Sequence, residues 1–242
     1  MTGQRFSLDR LRALFYIGAG VLLAACPGPG PLVPVALAPT SRDSAVMWTG
    51  RTLPPRPTVI RFRWRYADGR AQYAGRGSAR IAPPDSLRFD YAGPFGLGSG
   101  AAVVIGDTVL WADPEANFRS LVPAIPMLWA SLGMVRPPAG GAAVSSLVEP
   151  DGDAPRTLWR FARVNEGDTL EYAVTAGARR VLEAEWRRGS DVLARSRTML
   201  DAQIRPIRAR VDFPEASARF ELTVVGVDTA AIIPPALWRS RR

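Results

Sequence analysis

Apolar and polar positions alternate with a period of two along most of the chain. From Val59 to Tyr66 every second residue is large and apolar, and three arginines lie between them. This pattern is typical of a strand with one buried face, and the Asp68-Gly69 pair that follows predicts a hairpin turn. The same criteria predict ten further strands, at residues 72–81, 87–91, 101–105, 108–111, 157–164, 168–175, 179–187, 191–200, 203–213 and 217–226.

Residues 114–138 break this rhythm, because their apolar side chains recur at spacings of three and four. Such spacing predicts one face of a helix. Pro123 and Pro126 argue against a single straight helix, so we expect two short helices or a broken one, ended by Gly133 or by Pro137-Pro138. This helical insert, around residues 115–135, could be a lid, although an ordinary core helix has the same pattern and is the more common case.

About eleven short antiparallel strands are too many for a flat open sheet. We therefore expect a mainly β fold in which the sheet curls into an antiparallel half-barrel. The helical insert then lies over the open mouth of the half-barrel or inside it.

The first 26 residues carry the features of an exported lipoprotein. Arginines at positions 5, 10 and 12 precede an uncharged run at 13–25, and the run ends in Leu23-Ala24-Ala25-Cys26. A basic start, a short apolar stretch and small residues at the cleavage site indicate a signal peptide, and the last four residues resemble a bacterial lipobox. The alternative is an uncleaved anchor, but the run is shorter than the roughly 20 residues of a spanning helix.

These features divide the chain into three parts. Residues 1–25 are the predicted signal peptide, and residues 26–57 are the predicted lipidated cysteine and a tether in which prolines favour extended backbone. Within the tether, residues 44–48 could form a short helix that packs on the domain. Residues 58–242 are predicted to form a single domain, since the 242 − 25 = 217 residues after the signal suit one core.

Composition argues against an enzyme. The chain has no histidine and no lysine, and its only cysteine is the predicted lipidation site. A Ser-His-Asp triad, a histidine metal site and a Schiff-base lysine are therefore excluded, and the sequence predicts neither a metal nor a cofactor. Glu183 and Glu185 share a strand face opposite apolar residues, which favours solvated carboxylates over catalytic ones.

The formal net charge of +9 favours anionic partners. The arginines of the chain alternate with apolar residues instead of forming a block. This alternation is also typical of strands whose polar face is solvated. Export favours lipid head groups over nucleic acid, and we expect a monomer that binds no nucleic acid.

A groove for an acyl chain could form where small residues face large apolar walls. The candidates for such a lipid cavity are Phe62, Trp64, Gly75, Gly77, Phe89, Tyr91, Trp111, Leu128, Trp129 and Trp186. The same residues would also suit a filled barrel core. Phe95 and Leu97 lie in a glycine-rich loop that cannot bury them by itself, which indicates insertion into a membrane or a partner, or a loop folded back on the barrel mouth.

Several of these segments together resemble the LolA/LolB lipoprotein-localisation superfamily, and most nearly its outer-membrane receptor members. They are the lipobox, Gly-Arg-Gly at 75–77, Gly-Pro-Phe-Gly at 93–96 and Leu-Trp-Ala-Ser-Leu-Gly at 128–133. The resemblance implies a half-barrel closed by helices around an acyl-chain cavity. It also implies a protruding loop with an exposed leucine, at positions 94–97.

The sequence therefore predicts a lipid-anchored protein of the outer membrane that faces the periplasm. We expect it to bind membrane lipid and lipoprotein acyl chains, and to accept them from a soluble periplasmic carrier or insert them. The alternative is a structural or assembly lipoprotein, in which the barrel core is filled and the loops bind a protein partner.

Overall fold

The alternating segments form antiparallel strands that pair side by side into a single sheet. A computed structural model describes residues 32, 37–94, 98–122, 124–138, 143–151, 154–162, 167–176 and 180–239. All of them belong to one unit, Leu32–Arg242.

Thirteen strands can be traced over the described part of the chain. Their bounds are β1 Ala38–Pro39, β2 Thr58–Ala67, β3 Gln72–Ala82, β4 Ser86–Ala92, β5 Gly100–Ile105, β6 Thr108–Asp113, β7 Ala143–Asp151, β8 Ala154–Ala162, β9 Asp168–Thr175, β10 Arg180–Arg188, β11 Asp191–Leu200, β12 Pro206–Phe213 and β13 Ala218–Asp228. The order across the sheet is β1-β7-β8-β9-β10-β11-β12-β13-β2-β3-β4-β5-β6. The sheet does not close, and β1 and β6 are its edges.

The predicted mainly β antiparallel fold is confirmed. The eleven predicted strands correspond to β2–β6 and β8–β13, and the sequence pattern missed β1 and β7. β1 has only two residues, and β7 reads AVSSLVEPD, without an alternation of large apolar side chains. Both strands are stabilised by backbone pairing with a neighbouring strand, although their own sequences have no alternating apolar pattern. Ala38 lies opposite Ser146, and β7 pairs with β8 along its length.

The helical insert forms two short helices, α2 Glu115–Leu121 and α3 Ile125–Ser131. The five residues of α3 from Met127 to Ser131 are all buried, and a helix that is buried on all sides belongs in a core. We call the sheet face that packs on this helix the inner face.

The contacts of α3 show that the sheet is strongly curled. The Trp129 Nε1 donates to the carbonyl of Gly106, between β5 and β6, at 2.7 Å, and the Thr198 hydroxyl of β11 donates to the Ala130 carbonyl at 2.7 Å. β11 and β5 are six strands apart in the sheet, which corresponds to about 29 Å if the sheet were flat. Two adjacent helix residues cannot bridge that distance, so the sheet wraps around α3 as a half-barrel.

Part of the predicted tether is packed against the sheet. Arg42–Gly50 forms a helix, α1, with the Ser41 hydroxyl accepting from the Ser44 amide at 3.1 Å at its start. Ala45 is buried, and the Trp48 ring stacks on Trp159 of β8 at 4.9 Å between centroids. The short helix expected inside residues 44–48 is therefore confirmed and longer, and the packed unit begins before residue 58.

The chain after β13 returns across the opposite, outer face. The Trp111 Nε1 donates to the Trp238 carbonyl at 3.1 Å, and Arg88 donates to the Leu237 carbonyl. Leu237 and Trp238 belong to a short 3₁₀ helix, Pro235–Trp238. This 3₁₀ helix therefore covers β4–β6 on the outer face. Within the described ranges, no helix combines the length and the apolar character that crossing a bilayer requires.

We expect Trp129→Phe to lower the free energy of unfolding by about 3 kcal/mol. The variant leaves the Gly106 carbonyl without its indole donor and opens a cavity beside a fully buried ring. Trp48→Phe is the control, because Trp48 is only partly buried, and it should cost less than about 1.5 kcal/mol. Urea titration measures both; equal losses would contradict the role of Trp129 in holding α3 between the two halves of the sheet.

Candidate functional site

Four predicted cavity residues meet on the inner face of β2 and β4. The Phe62 and Phe89 rings stack at 5.2 Å between centroids, Phe89 lies 6.2 Å from Tyr91, and Trp64 contacts Tyr91 edge to face at 6.3 Å. Phe118 of α2 extends the cluster, 6.3 Å from Phe89. Helix α2 therefore packs directly on these rings.

The two predicted cavity glycines lie directly beneath these rings. Trp64 and Gly75 are opposite one another in the β2–β3 pair, and so are Phe62 and Gly77. A Cβ atom added at Gly75 would lie 2.7 Å from the Trp64 ring, and one at Gly77 would lie 2.4 Å from Phe62. Because glycine has no side chain, the two aromatic rings can pack directly against the backbone of β3. The space over these glycines is therefore filled.

Open space begins at the edge of this cluster. A groove of about 650 Å³ opens to solvent there, within the roughly 300–1,000 Å³ usual for ligand pockets. It is lined by Trp64, Tyr66, Asp68, Tyr73, Ala74, Tyr91, Gly93, Pro94, Gly98, Asn117 and Leu121. We call it the aromatic groove.

Sequence reasoning missed Tyr66 and Tyr73 as part of this site. Their rings stack at 6.4 Å, and Tyr73 is 57% exposed. The signal was present, since both tyrosines flank the predicted Asp68-Gly69 turn and the hairpin register places them opposite one another. The contribution of α2, through Asn117 and Leu121, depends on tertiary packing and has no such local signal.

The predicted loop residues Phe95 and Leu97 lie outside the described residues. Their flanking residues are described, and Pro94 and Gly98 both line the aromatic groove. The described residues on either side of this segment therefore lie at the groove. The predicted lipidation site, Cys26, also lies outside the described residues.

Leu128 and Trp129 lie in α3 and are buried inside the half-barrel, away from the aromatic groove. Trp186 is also on the inner face, where its Nε1 donates to an Asp168 carboxylate oxygen at 3.2 Å. It lines a separate small pocket of about 130 Å³. The centre of the half-barrel is thus occupied by side chains.

Trp111 lies on the outer face, contrary to its predicted place in the cavity. Trp111 pairs with Val103, and Val103 pairs in turn with Arg88. Paired residues of neighbouring strands share one face of a sheet. Arg88 lies on the outer face, because it stands between Leu87 and Phe89, which both point inward. The cause is a register shift between β5 and β6 at Val103/Val104, because one extra residue in a strand reverses the faces of those beyond it. The Arg88 guanidinium lies over the Trp111 ring, with its Cζ 5.4 Å from the ring centroid.

The predicted solvated carboxylate at Glu185 is instead fully buried, on the outer face of β10. Arg187 and Arg195 both form ion pairs with it. These two guanidinium groups neutralise the charge and explain its burial. Among the described residues, no group of histidine, cysteine or acidic side chains could hold a metal ion.

Two tyrosines of the aromatic groove, Tyr66 and Tyr91, have raised pKa values. Burial, followed by the nearby charge of Asp113, raises the pKa of Tyr91 to about 12. Its buried hydroxyl has no hydrogen-bond partner among the described residues. Burial, together with Asp68, also raises the pKa of Tyr66. Both phenols therefore stay protonated at neutral pH, and an apolar ligand would meet no charged tyrosine.

Asp68 is the carboxylate at the rim. Hydrogen bonds from the backbone amides of Arg70 and Ala71, each 2.8 Å, hold its pKa below the usual range. This carboxylate therefore caps the β2–β3 turn and stays ionised at neutral pH.

Comparison with solved structures identifies the architecture. A LolA superfamily protein from Nitrosomonas europaea superimposes with a TM-score of 0.55 at 13% identity, covering 83% of this chain and 99% of that one. The fold is LolA/LolB-like. A domain from Vibrio parahaemolyticus, named as a putative outer membrane lipoprotein-sorting protein domain, superimposes with a TM-score of 0.52 at 10% identity. The match covers 81% of this chain and 97% of that one.

Sequence comparison adds no assignment. No protein-family model matches this chain, and no curated protein matches it. At identities of 13% and 10%, the structural likeness establishes the LolA/LolB-like fold alone.

Gly75→Ala should lower the free energy of unfolding by about 3 kcal/mol, because the new methyl group would overpack the cluster. Its Cβ would lie 2.0 Å from the Ala92 carbonyl oxygen, an atom that cannot move without the strand. At Gly226, in β13, nothing lies within 4 Å of an added Cβ, so Gly226→Ala serves as the control. Thermal melts of both variants test this, and an unaffected Gly75→Ala protein would refute the seating of Trp64 on this glycine.

Tyr91→Phe should leave stability at neutral pH unchanged or higher, since the lost hydroxyl has no partner among the described residues. The raised pKa makes the wild-type stabilisation from neutral Tyr91 complete below pH 10.0 and lost as the pH rises through about 12. The variant should therefore lose less stability across that interval than wild type. Unfolding titrations at several alkaline pH values, with Tyr73→Phe as the control, measure this; identical pH profiles for Tyr91→Phe and wild type would contradict it.

Proposed function

We propose that this protein is a non-enzymatic lipid-binding protein that holds the acyl chains of lipoproteins or lipids in the aromatic groove. The observation that carries the proposal is an open groove of about 650 Å³ whose walls are mostly aromatic and apolar, set into a LolA/LolB-like fold. Trp64, Tyr66 and Tyr91 offer ring faces and edges without a formal charge. An acyl chain gains about 0.8 kcal/mol for each methylene that it buries.

The position of the groove suits a cargo that must leave again. Its open side keeps part of a bound chain near solvent, whereas the interior around Leu128 and Trp129 is packed with side chains. Transfer would then proceed by differential affinity from a soluble periplasmic carrier to this protein and onward to the membrane. Such a transfer needs no nucleotide, since each step is a partition between apolar sites.

We propose that the acceptor is attached to the outer membrane on its periplasmic side. The lipobox-like segment ending at Cys26 supports this location. Phe95 and Leu97 belong to the same proposal, because Pro94 and Gly98, on either side of them, line the groove. The loop would then pass cargo between the groove and the bilayer.

The filled interior favours one alternative function. Because α3 occupies the centre of the half-barrel, the protein could act as an assembly lipoprotein that binds a protein partner through its loops. The two functions differ in whether an isolated acyl ligand binds the aromatic groove.

Asn117→Trp provides the direct test. Asn117 is exposed on α2 and lines the groove, so an indole at this position should occupy space that an acyl chain needs. We expect the affinity for a fluorescent triacylated lipopeptide to fall about tenfold, equivalent to about 1.4 kcal/mol. Fluorescence anisotropy with the full chain measures the affinity.

Ala116→Trp is the matched control, since Ala116 is exposed on the same helix and does not line the groove. It should bind the lipopeptide within twofold of wild type. Equal binding by all three proteins would exclude the aromatic groove as the site. Failure of the wild type to bind would favour the protein-partner alternative.

A further inference from the structure

The arginines of the outer face differ in how they are neutralised. On β8–β13 they pair with carboxylates: Arg160 with Glu171 at 2.7 Å, Arg210 with Asp212 at 2.7 Å and Arg219 with Asp212 at 2.9 Å. These pairs balance positive charge across half of the sheet. The same face of β2 and β3 has a different arrangement.

Arg61 and Arg63 of β2 and Arg76 of β3 are exposed, and none forms an ion pair within the described ranges. Arg63 lies directly opposite Arg76 in the β2–β3 pair, and like charges in that position destabilise a sheet. We call these three residues the outer arginine patch. Their arrangement carries a folding cost that an anionic partner would offset.

The patch lines a groove of about 770 Å³ on the outer face. Two carboxylates also line it, but Asp90 is held by Arg80 and Arg88, and Asp228 accepts from the Ala230 amide at 3.0 Å. Asp228 keeps its negative charge, but one carboxylate cannot balance three arginines, and it forms no ion pair with them within the described ranges. The groove is therefore left with a positive surface available to a partner.

Exposed apolar side chains border the same groove. Val225 is 60% exposed and Ile232 is 93% exposed, and both line it beside the arginines. Arginines next to exposed aliphatic side chains match a surface in which anionic head groups lie above hydrocarbon. An acidic peptide without apolar side chains would satisfy the arginines but would leave Ile232 in water.

We propose that the outer arginine patch docks the protein on a bilayer surface that contains anionic phospholipids. Arg61, Arg63 and Arg76 contact the phosphates, and Val225 and Ile232 rest against the interfacial acyl region. This contact is separate from the aromatic groove and does not require an acyl chain to be bound there.

The test compares binding of the full chain to vesicles of phosphatidylcholine with and without phosphatidylglycerol, in a Cys26→Ser background that removes the lipidation site. The measured quantity is the ratio of the two partition coefficients, which cancels any binding that does not depend on charge. Arg63→Gln/Arg76→Gln should lower this ratio about 30-fold at low salt. The wild-type ratio should itself fall as salt is added.

The matched control is Arg208→Gln/Arg210→Gln, which removes the same charge from the same face where Glu221 and Asp212 already pair with these arginines. Its ratio should stay within about threefold of wild type, because those guanidinium groups are already engaged. Equal reductions in the two variants would reduce the effect to net charge and overturn the proposal. Circular dichroism melts confirm that both variants are folded.

Binding to immobilised polyglutamate separates the remaining partner class. If Arg63→Gln/Arg76→Gln abolishes polyglutamate binding while its vesicle ratio equals that of wild type, the patch serves an acidic protein and the membrane proposal is wrong. A loss of the lipopeptide affinity in the aromatic groove would leave this result untouched, so the two sites can fail independently.

Discussion

The curl of the sheet around α3 is the constraint on which the rest of the structure depends. Trp129 and Ala130 are adjacent in α3, yet one bonds to the β5–β6 turn and the other to β11. These two contacts join halves of the sheet that are far apart in strand order. Because α3 fills the centre, the aromatic groove lies at the rim, where α2 meets β2–β4.

The arrangement of the rim follows from pairing rings with glycines. Gly75 and Gly77 cannot open a deep cavity, since Trp64 and Phe62 lie over them. The close packing of its ring on Gly75 restricts Trp64, which with Tyr91 forms a fixed wall of the aromatic groove. A fixed wall suits a ligand with no polar groups to orient, because shape and dryness then determine affinity.

The sequence predicted the fold better than it predicted the site. The period-two alternation was sufficient to predict eleven strands, because within each segment apolar residues mark the buried face and polar residues mark the exposed face. Trp111 was misplaced since a single register shift in β6 reverses the side chains beyond it, and no local pattern marks that shift. The filling of the interior by α3 and the part played by Asn117 are tertiary facts, which alternation along one strand cannot encode.

Photolabelling is the most direct test of whether acyl chains bind in the aromatic groove. A fatty acid with a diazirine near its methyl end would be bound to the full chain, irradiated and mapped by peptide mass spectrometry. We expect labels on Trp64, Tyr66, Tyr73 and Leu121, which line the groove. Labels concentrated at Trp186, or on the outer face near Ile232, would contradict it.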